Sequence, residues 1–584
     1  MKNICLFILL ATVAQALAAC ATNPVNGHSV LTLMSKDEEL DIGKQNVSDQ
    51  IDQYGLYSEK LDLLNYYRSL GAKLAKVSER QDVPYDYLLL DGDVYNAWSV
   101  PGHIATYRGI LPYLNSETDL AMLLGHETGH VAAYHTSRQA SNQFLAGVLV
   151  AGTAAYVAAA SGDSRAGSSV AAITGAVAVV GLAAFGRGHE DEADTLGARY
   201  VKELGYPPEE AAGLFAEMGI YENLSDDVHE MFFGFKPEKS LSYDILRSHP
   251  EPKSRYAHIA QLYGEPMLLA VERGRAFGND TIGRDRYLDM IDGLAYGPKR
   301  DEGVASRRKF YSPADRFTLN LPDGMYFRYF YSAPKAEVQP GPAGQPTTDA
   351  QDEESSRGVW RGVMPDKHLT VLISTSRYHK KHDAEEVLRI ENPAIADVKY
   401  VQLGDRAVAS GVNWVRRTGN LFSRPKDVGY EKVFVIPATA DHVDPDDAEA
   451  IRREGHNFFV LKFVVGDDPQ RLAAREVYEA DGGHLPPDGL GDIDRKTFDT
   501  STVDALASGV VKSFKALNQK AARAIQPLRV KVVTVQKGEM VARLADKMSF
   551  GLLREEIFRA LNGLPADAQL KPGERVKLVV DPNR

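Results

Sequence analysis

The sequence predicts an α+β protein in three regions: a mainly helical domain with a small edge sheet, an α+β middle domain, and a small βααβ domain at the end. Three observations lead there. Apolar residues recur at helical spacing, with recognisable start and stop signals, through residues 116–263. Alternating apolar runs that read as strands begin near Phe317. The last fifty or so residues read strand, helix, helix, strand. At 584 residues the chain has room for three or so domains. Its 44% hydrophobic and 25% charged residues are those of an ordinary globular protein able to bury a core. A formal net charge of -12 argues against a nucleic-acid partner.

The first element is a targeting segment and stays out of the fold. Lys2 precedes an apolar stretch from Ile4 to Leu17, which ends in Leu17-Ala18-Ala19-Cys20. That ending resembles a bacterial lipobox. The resemblance implies a signal peptide over 1–19, cleavage before Cys20, a lipid on its thiol, and, with Ala21 following, sorting to the outer membrane of a Gram-negative cell. An ordinary secretory signal with a coincidental cysteine is the alternative. Several acyl chains would anchor the chain stably, each buried CH₂ contributing about 0.8 kcal/mol. The other cysteine, Cys5, lies inside the removed segment, so no disulfide framework is expected.

The next informative element is a helix. Ser116 and Asp119 make a capping-box-like start, and Leu120, Leu123 and Leu124 form an apolar face. There follows His126-Glu127-Thr128-Gly129-His130. One turn separates the histidines, so both imidazoles leave one face and can grip one Zn²⁺. Glu127 falls beside the metal rather than on it. The plain alternative is a pair of helix-face histidines above a core. A second helix opens in the acidic run from Arg187 to Asp194. Ala193, Leu196, Tyr200, Val201 and Leu204 give it one apolar face, and it ends at Gly205. Glu190 and Asp194 are four apart and share a face. Taken alone, first-turn carboxylates only suit the helix dipole.

Together, the His-Glu-x-x-His helix and the Glu-x-Glu-Ala-Asp run about sixty residues later resemble the M48 family of zinc metallopeptidases, of the BepA and HtpX type. The resemblance implies a zincin-like metallopeptidase domain with one Zn²⁺ per chain held by His126, His130 and Glu190. It makes Glu127 the catalytic base and Asp194 the hydrogen-bond partner of a ligand histidine. Gly186-Arg187 stands where the family has Ser-Arg. Asn96-Ala97-Trp98-Ser99-Val100-Pro101-Gly102 resembles the family segment that runs into the edge strand of the cleft, with His103 replacing a glycine; His103 is expected to be an exposed strand residue. His135 and Arg138 continue the zinc helix as packing and hydrogen-bonding residues rather than ligands. Ser248-His249-Pro250-Glu251-Pro252-Lys253-Ser254-Arg255 matches a further signature. It makes His249 a fourth ligand, a latch or a transition-state donor, and Arg255 an oxyanion or tethering group.

Between the ligand helices lie two Ala-, Gly- and Val-rich stretches, 144–161 and 169–185. Each is near the lower length for a membrane span. Packed helices, a membrane-touching flap and a transmembrane hairpin are the three readings. The peptidase domain is expected over 21–275, with helical patterns at Pro208 to Met218 and Pro252 to Tyr263. An α+β domain follows over 300–525, with strands at Phe317 to Leu321, Val371 to Ser374, Val433 to Ile436 and Phe458 to Val465, and a helix from Val503 to Leu517. The Pro-, Gly- and acid-rich insert 334–358 is expected to be disordered. His368, His379, His382 and His442 are read as surface residues. Residues 529–581 resemble a LysM module, which implies contact with peptidoglycan; the alternative is a small domain that docks on the peptidase.

The resemblance thus implies a membrane-tethered, periplasm-facing zinc endopeptidase acting on misfolded or misassembled envelope polypeptides. A substrate peptide would lie along the strand after Pro101-Gly102. The alternatives are an assembly factor whose zinc site is latched, and an intramembrane protease.

Overall fold

The computed structural model describes residues 20–142, 186–236, 249, 251–264, 283–330, 353–354, 358–378, 382–403, 406–417, 426–438, 456–467, 474 and 493–584. The targeting segment, the apolar stretches of 144–185, His379 and His442 lie outside them. So does the 334–358 insert, apart from residues 353–354 and 358.

Cys20–Thr22 (β1) pairs antiparallel with Ser29–Leu31 (β2) around a turn in which the Asn23 carbonyl accepts from the Gly27 amide. Ser35 and Glu38 form a reciprocal capping box that starts Lys36–Tyr54 (α1). Leu61–Val77 (α2) buries Leu63, Tyr67, Leu70 and Leu74 at helical spacing.

A three-stranded sheet follows: Asp86–Leu90 (β3), Ala97–Val100 (β4) and His103–Tyr107 (β5), ordered β3-β5-β4. The strand after Pro101-Gly102 is therefore not the edge, as the sequence suggested. Gly102, at φ 91°, reverses the chain, and β5 is taken on one side by β4 and on the other, in parallel, by β3. Among the described residues the sheet's edges are β4 and β3, the latter bridged at Leu90 by Leu56. Gly43 of α1 braces this turn, since a Cβ there would fall 2.3 Å from the Pro101 carbonyl oxygen. His103 is half-buried rather than exposed.

The helical layer consists of Glu117–Ala132 (α3), Arg187–Glu203 (α4), Gly213–Phe233 (α5), Pro252–Tyr263 (α6) and Arg284–Ile291 (α7). All of α3 is buried. The expected helix at Pro208 is first a 3-10 turn over Pro208–Ala212 and then α5. α7 lies beyond the expected boundary at 275, yet Tyr287, Leu288 and Ile291 belong to the same core, and the Tyr287 hydroxyl donates to the Leu111 carbonyl at 2.7 Å.

The middle region begins with Ala295–Tyr296 (β6) and the short strands Val304–Ser306 (β7), Lys309–Ser312 (β8) and Phe317–Asn320 (β9). Among the described residues its main sheet has eight strands: Tyr326–Phe330 (β10), Glu353–Glu354 (β11), Val359–Met364 (β12), Leu369–Tyr378 (β13), Ala396–Leu403 (β14), Arg406–Arg417 (β15), Lys426–Pro437 (β16) and His456–Gly466 (β17). The order is β10-β12-β13-β17-β16-β15-β14, all antiparallel, with β11 paired to β13. β11 is thus an ordered piece of the expected disordered insert. Strand alternation divides the sheet's two faces. Val433, Val435 and Val460 pack under Ala384–Glu391 (α8), and Phe434, Phe459, Leu461 and Phe463 under Ser501–Lys512 (α9). The expected helix to Leu517 stops at Lys512; Lys515–Ala516 (β18) pairs with β9 instead. His368 and His382 are half-buried.

After Gln519–Ala524 (α10) come Leu528–Thr534 (β19), Val541–Ala545 (α11), Arg554–Asn562 (α12) and Arg575–Val580 (β20). β19 pairs with β20 and with β6. This βααβ unit packs on the peptidase region: Val530, Ile557, Phe558, Leu561, Leu578 and Val579 join one apolar cluster with Leu120, Phe215 and Tyr287. Lys577 is fully buried, and its Nζ donates to the Leu114 carbonyl at 2.6 Å, two residues before the cap of α3. Arg284 bridges the same seam, donating to the Asn115 and Arg575 carbonyls at 3.0 Å each.

Candidate metal centre

Two helices in backbone contact build the site. α3 starts where the Ser116 hydroxyl accepts from the Asp119 amide, and the Asp119 carboxylate in turn accepts from the Asn115 amide and Ser116 hydroxyl. It presents His126, Glu127 and His130. α4 brings Glu190 in its first turn and Asp194 one turn later. The helices meet at glycines: a Cβ on Gly125 would lie 3.2 Å from the Gly197 Cα, and one on Gly129 3.1 Å from the Ala193 carbonyl oxygen. Only with no side chain at these positions does α4 come close enough for Glu190 to reach the histidines.

His126 Nε2 and His130 Nε2 are 3.0 Å apart. Glu190 Oε1 is 3.4 Å from His130 Nε2, and Glu190 Oε2 is 3.6 Å from His126 Nε2. His249 enters from the segment before α6; its Nδ1 lies 3.0 Å from Glu190 Oε2 and 3.2 Å from His126 Nε2. His126, His130, Glu190 and His249 are all buried, and each offers a ligand atom within 4.8 Å of the others. The structure thus brings together His126, His130 and Glu190, and adds His249 to them.

The donors suit a zinc ion. Mixed imidazole and carboxylate ligation is what that ion takes. Each α3 histidine also commits its Nδ1 outward, which turns the Nε2 lone pair into the site. His126 Nδ1 donates to Asp194 Oδ1 at 2.7 Å, and His130 Nδ1 lies 2.8 Å from His135 Nδ1. Burial, with the neighbouring histidines adding to it, pushes the His130 pKa well down, which keeps the ring neutral. Burial alone would raise Glu190, but His249 and Arg255 hold it well below the usual carboxylate range.

Glu127 lies fully buried beside these donors. The Ser99 hydroxyl of β4 donates to its Oε2 at 2.8 Å. Its Oε1 is 3.4 Å from His249 Nε2 and makes no hydrogen bond among the described residues. Arg255 clamps the other side. It donates to Asp194 through Nε and Nη2, at 2.8 and 2.6 Å, lies 3.4 Å from Glu190 and stacks 4.4 Å over Phe215. With both carboxylates engaged, Arg255 ties α4, α5 and α6 together around the site.

One expectation is corrected here. His135 and Arg138 do not continue α3. The helix ends at Ala132, Tyr134 takes a left-handed φ of 62°, and helix resumes at residue 135. Sequence reading also missed Ser99, Glu192 and the three contact glycines. The Gly125-x-x-x-Gly129 spacing was a visible signal for a close helix crossing. Nothing local marks Ser99 or Glu192.

A family model described as Peptidase family M48 matches residues 64–263. The beta-barrel assembly-enhancing protease of Escherichia coli (strain K12) is 26% identical over 307 residues, 50% of this chain and 60% of its own length. Metalloprotease YcaL of the same organism is 25% identical over 274 residues, 44% of this chain and 97% of its own. The mitochondrial metalloendopeptidase OMA1 of Schizosaccharomyces pombe is 26% identical over 197 residues, 34% of this chain and 52% of its own. The chain thus spans 60% of the first of these relatives. The match encloses α3, α4 and His249, the elements that assemble the metal centre, and the chain therefore carries a peptidase family M48 domain.

Proposed function

We propose that this chain is a zinc-dependent endopeptidase of the bacterial cell envelope. One observation carries the reading: two imidazoles and a carboxylate from separate helices converge inside a buried site, with the Glu127 carboxylate directly beside them. His126, His130 and Glu190 would hold a zinc ion, which when bound would supply Lewis-acid polarisation of a peptide carbonyl and acidification of water. Glu127 Oε1 takes the proton of the attacking water and returns it to the leaving amine. Ser99 holds the other oxygen of that carboxylate, so Oε1 faces the reacting groups. β4, an edge strand of its sheet that carries Ser99, is where an extended peptide would add as a further strand.

The name of the 26% identical relative, a beta-barrel assembly-enhancing protease, supports misassembled envelope proteins as substrates. A lipid on Cys20 would tether the enzyme to the outer membrane from the periplasmic side, and the βααβ unit would contact peptidoglycan. No described helix is long and apolar enough to cross a membrane.

A second reading has its own observation. His249 Nδ1 stands 3.0–3.2 Å from Glu190 and His126, where it completes a four-ligand set. Closed four-ligand sites are structural and open three-ligand sites catalytic, so this arrangement is a latched state of the same centre. Glu127→Gln tests the main reading. It is expected to keep zinc, lose proteolysis and retain uncleaved envelope proteins in pull-downs; undiminished cleavage by that variant refutes the enzyme.

A further inference from the structure

The bond from His130 continues outward, away from the metal centre. His130 Nδ1 lies 2.8 Å from His135 Nδ1, and His135 Nε2 lies 3.0 Å from Glu192 Oε2. The other carboxylate oxygen, Oε1, accepts from Asn26 Nδ2 at 3.0 Å and from Asn23 Nδ2 at 3.5 Å. The protons can be placed along this whole path. With His130 Nε2 turned to a metal, its Nδ1–H donates to His135 Nδ1. His135 must then carry its own proton on Nε2, where the Glu192 carboxylate accepts it. The Asn26 amide donates to the far oxygen, while its carbonyl accepts from the His28 amide at 3.0 Å. His130 and His135 are fully buried, as is Asn23, so water does not compete along most of the path.

The backbone is bent to allow it. On one continuous helix, residues five apart point about 140° away from each other, so His135 could not face His130. The break at Ala133–Tyr134 removes that obstacle. It costs a left-handed φ of 62° at a tyrosine, a residue that rarely adopts it. Arg80 covers the Tyr134 ring at 3.9 Å and is itself paired, out of solvent, with Glu39 at 3.0 Å.

We propose that His135 and Glu192 are positioning residues for the metal ligand His130, and that the Asn23–His28 turn completes their hydrogen-bond chain. This inference rests on the metal-site reading above. The partner systems of the two α3 ligands are separate. His126 is held by Asp194 and Arg255 from within the domain, and His130 by a relay that ends in the hairpin beginning at Cys20.

The test is zinc affinity of the full chain, by competition with a chromophoric chelator, together with the visible spectrum of the Co²⁺-loaded protein. The variants are His135→Phe, Glu192→Ala, Glu192→Gln and Asn26→Ala. His135→Phe and Glu192→Ala are expected to weaken zinc binding by about 10- to 100-fold and to shift the cobalt bands. Because the two residues act in series, the double variant should weaken it no further than the worse single one. Glu192→Gln, which keeps an acceptor oxygen for His135, should recover most of the loss, and Asn26→Ala should lose only several-fold. If His135→Phe and Glu192→Ala bind zinc within twofold of wild type with unshifted cobalt bands, even with lowered Tm, the residues only pack and the inference falls. If wild-type protein itself holds no zinc, the metal-site reading falls and takes this inference with it.

Discussion

Replacing Gly197 by alanine tests whether helix contact sets the metal geometry. A Cβ at this position would lie 2.9 Å from the His126 backbone nitrogen, 3.1 Å from Met122 Cε and 3.2 Å from the Gly125 carbonyl carbon. Met122 can swing aside; the two backbone atoms cannot. Restoring ordinary contact requires α4 to back away from α3 by about 0.5 Å or more, and it must do so at the ligand residue itself. Metal–ligand distances tolerate about ±0.2 Å. Glu190 rides on α4, so the displacement exceeds what the site can absorb without rotating a side chain. In free energy, overpacking costs about 1–3 kcal/mol, and helix propensity returns about 1 kcal/mol on going from glycine to alanine. The net is a destabilisation of up to about 2 kcal/mol, with weakened zinc binding in addition. The matched control is Gly219→Ala on α5, where a Cβ meets nothing within 4 Å. It should be neutral or stabilising by up to about 1 kcal/mol, with unchanged zinc. Chemical denaturation and chelator competition on both variants read the two effects. Wild-type zinc affinity in Gly197→Ala would refute the claim that the glycine crossing positions Glu190.

Two further outcomes follow from contacts at the site and at the seam. Ser99→Ala removes the donor to Glu127 Oε2, a hydrogen bond to a charged group worth about 1.5–3 kcal/mol. Peptide hydrolysis should fall by about ten- to a hundredfold in kcat, with zinc content unchanged by metal analysis. Ending the chain after Gln526 strips Val530, Phe558, Leu561 and Leu578 from the peptidase core and unpairs Leu114 from Lys577. The shortened chain should aggregate or lose its cooperative thermal transition, whereas a module independent of the peptidase would leave its Tm where it was.

The sequence made the ligand helices legible because both carry their signals locally. Ser116 and Asp119 cap α3, Gly205 ends α4, and each donor sits at helical spacing from the next. Pro252–Tyr263 was legible for the same reason, opening on proline and closing on Gly264. What local pattern could not give was pairing. His103–Tyr107 has the same composition whether it lies at an edge or between two neighbours. Only the parallel arrival of Asp86–Leu90, which depends on a crossover connection, decides it. β14, at the edge of the main sheet, was missed because most of its residues are exposed on both faces and carry no alternation. Lys577 shows the same limit: a lysine in a strand reads as solvated until a neighbouring domain closes over it.

At the metal centre, the ligands are legible but their support is not. The motif names His126, Glu127, His130 and, through the family resemblance, Glu190 and Asp194. It does not reveal that the two histidines are oriented by different means. Asp194 lies on the very helix that delivers Glu190, so one helix crossing fixes a ligand and the orienter of another together. His135 is different, because a regular continuation of α3 would carry it away from His130. Its role exists only because Tyr134 breaks the helix, and that break is stabilised by Arg80, over fifty positions earlier in the chain. A site of this kind cannot be transferred by moving the five-residue motif alone. Two imidazoles placed one turn apart on an isolated helix keep their spacing but lose both outward partners, and with them the tautomer that turns each Nε2 lone pair toward the ion.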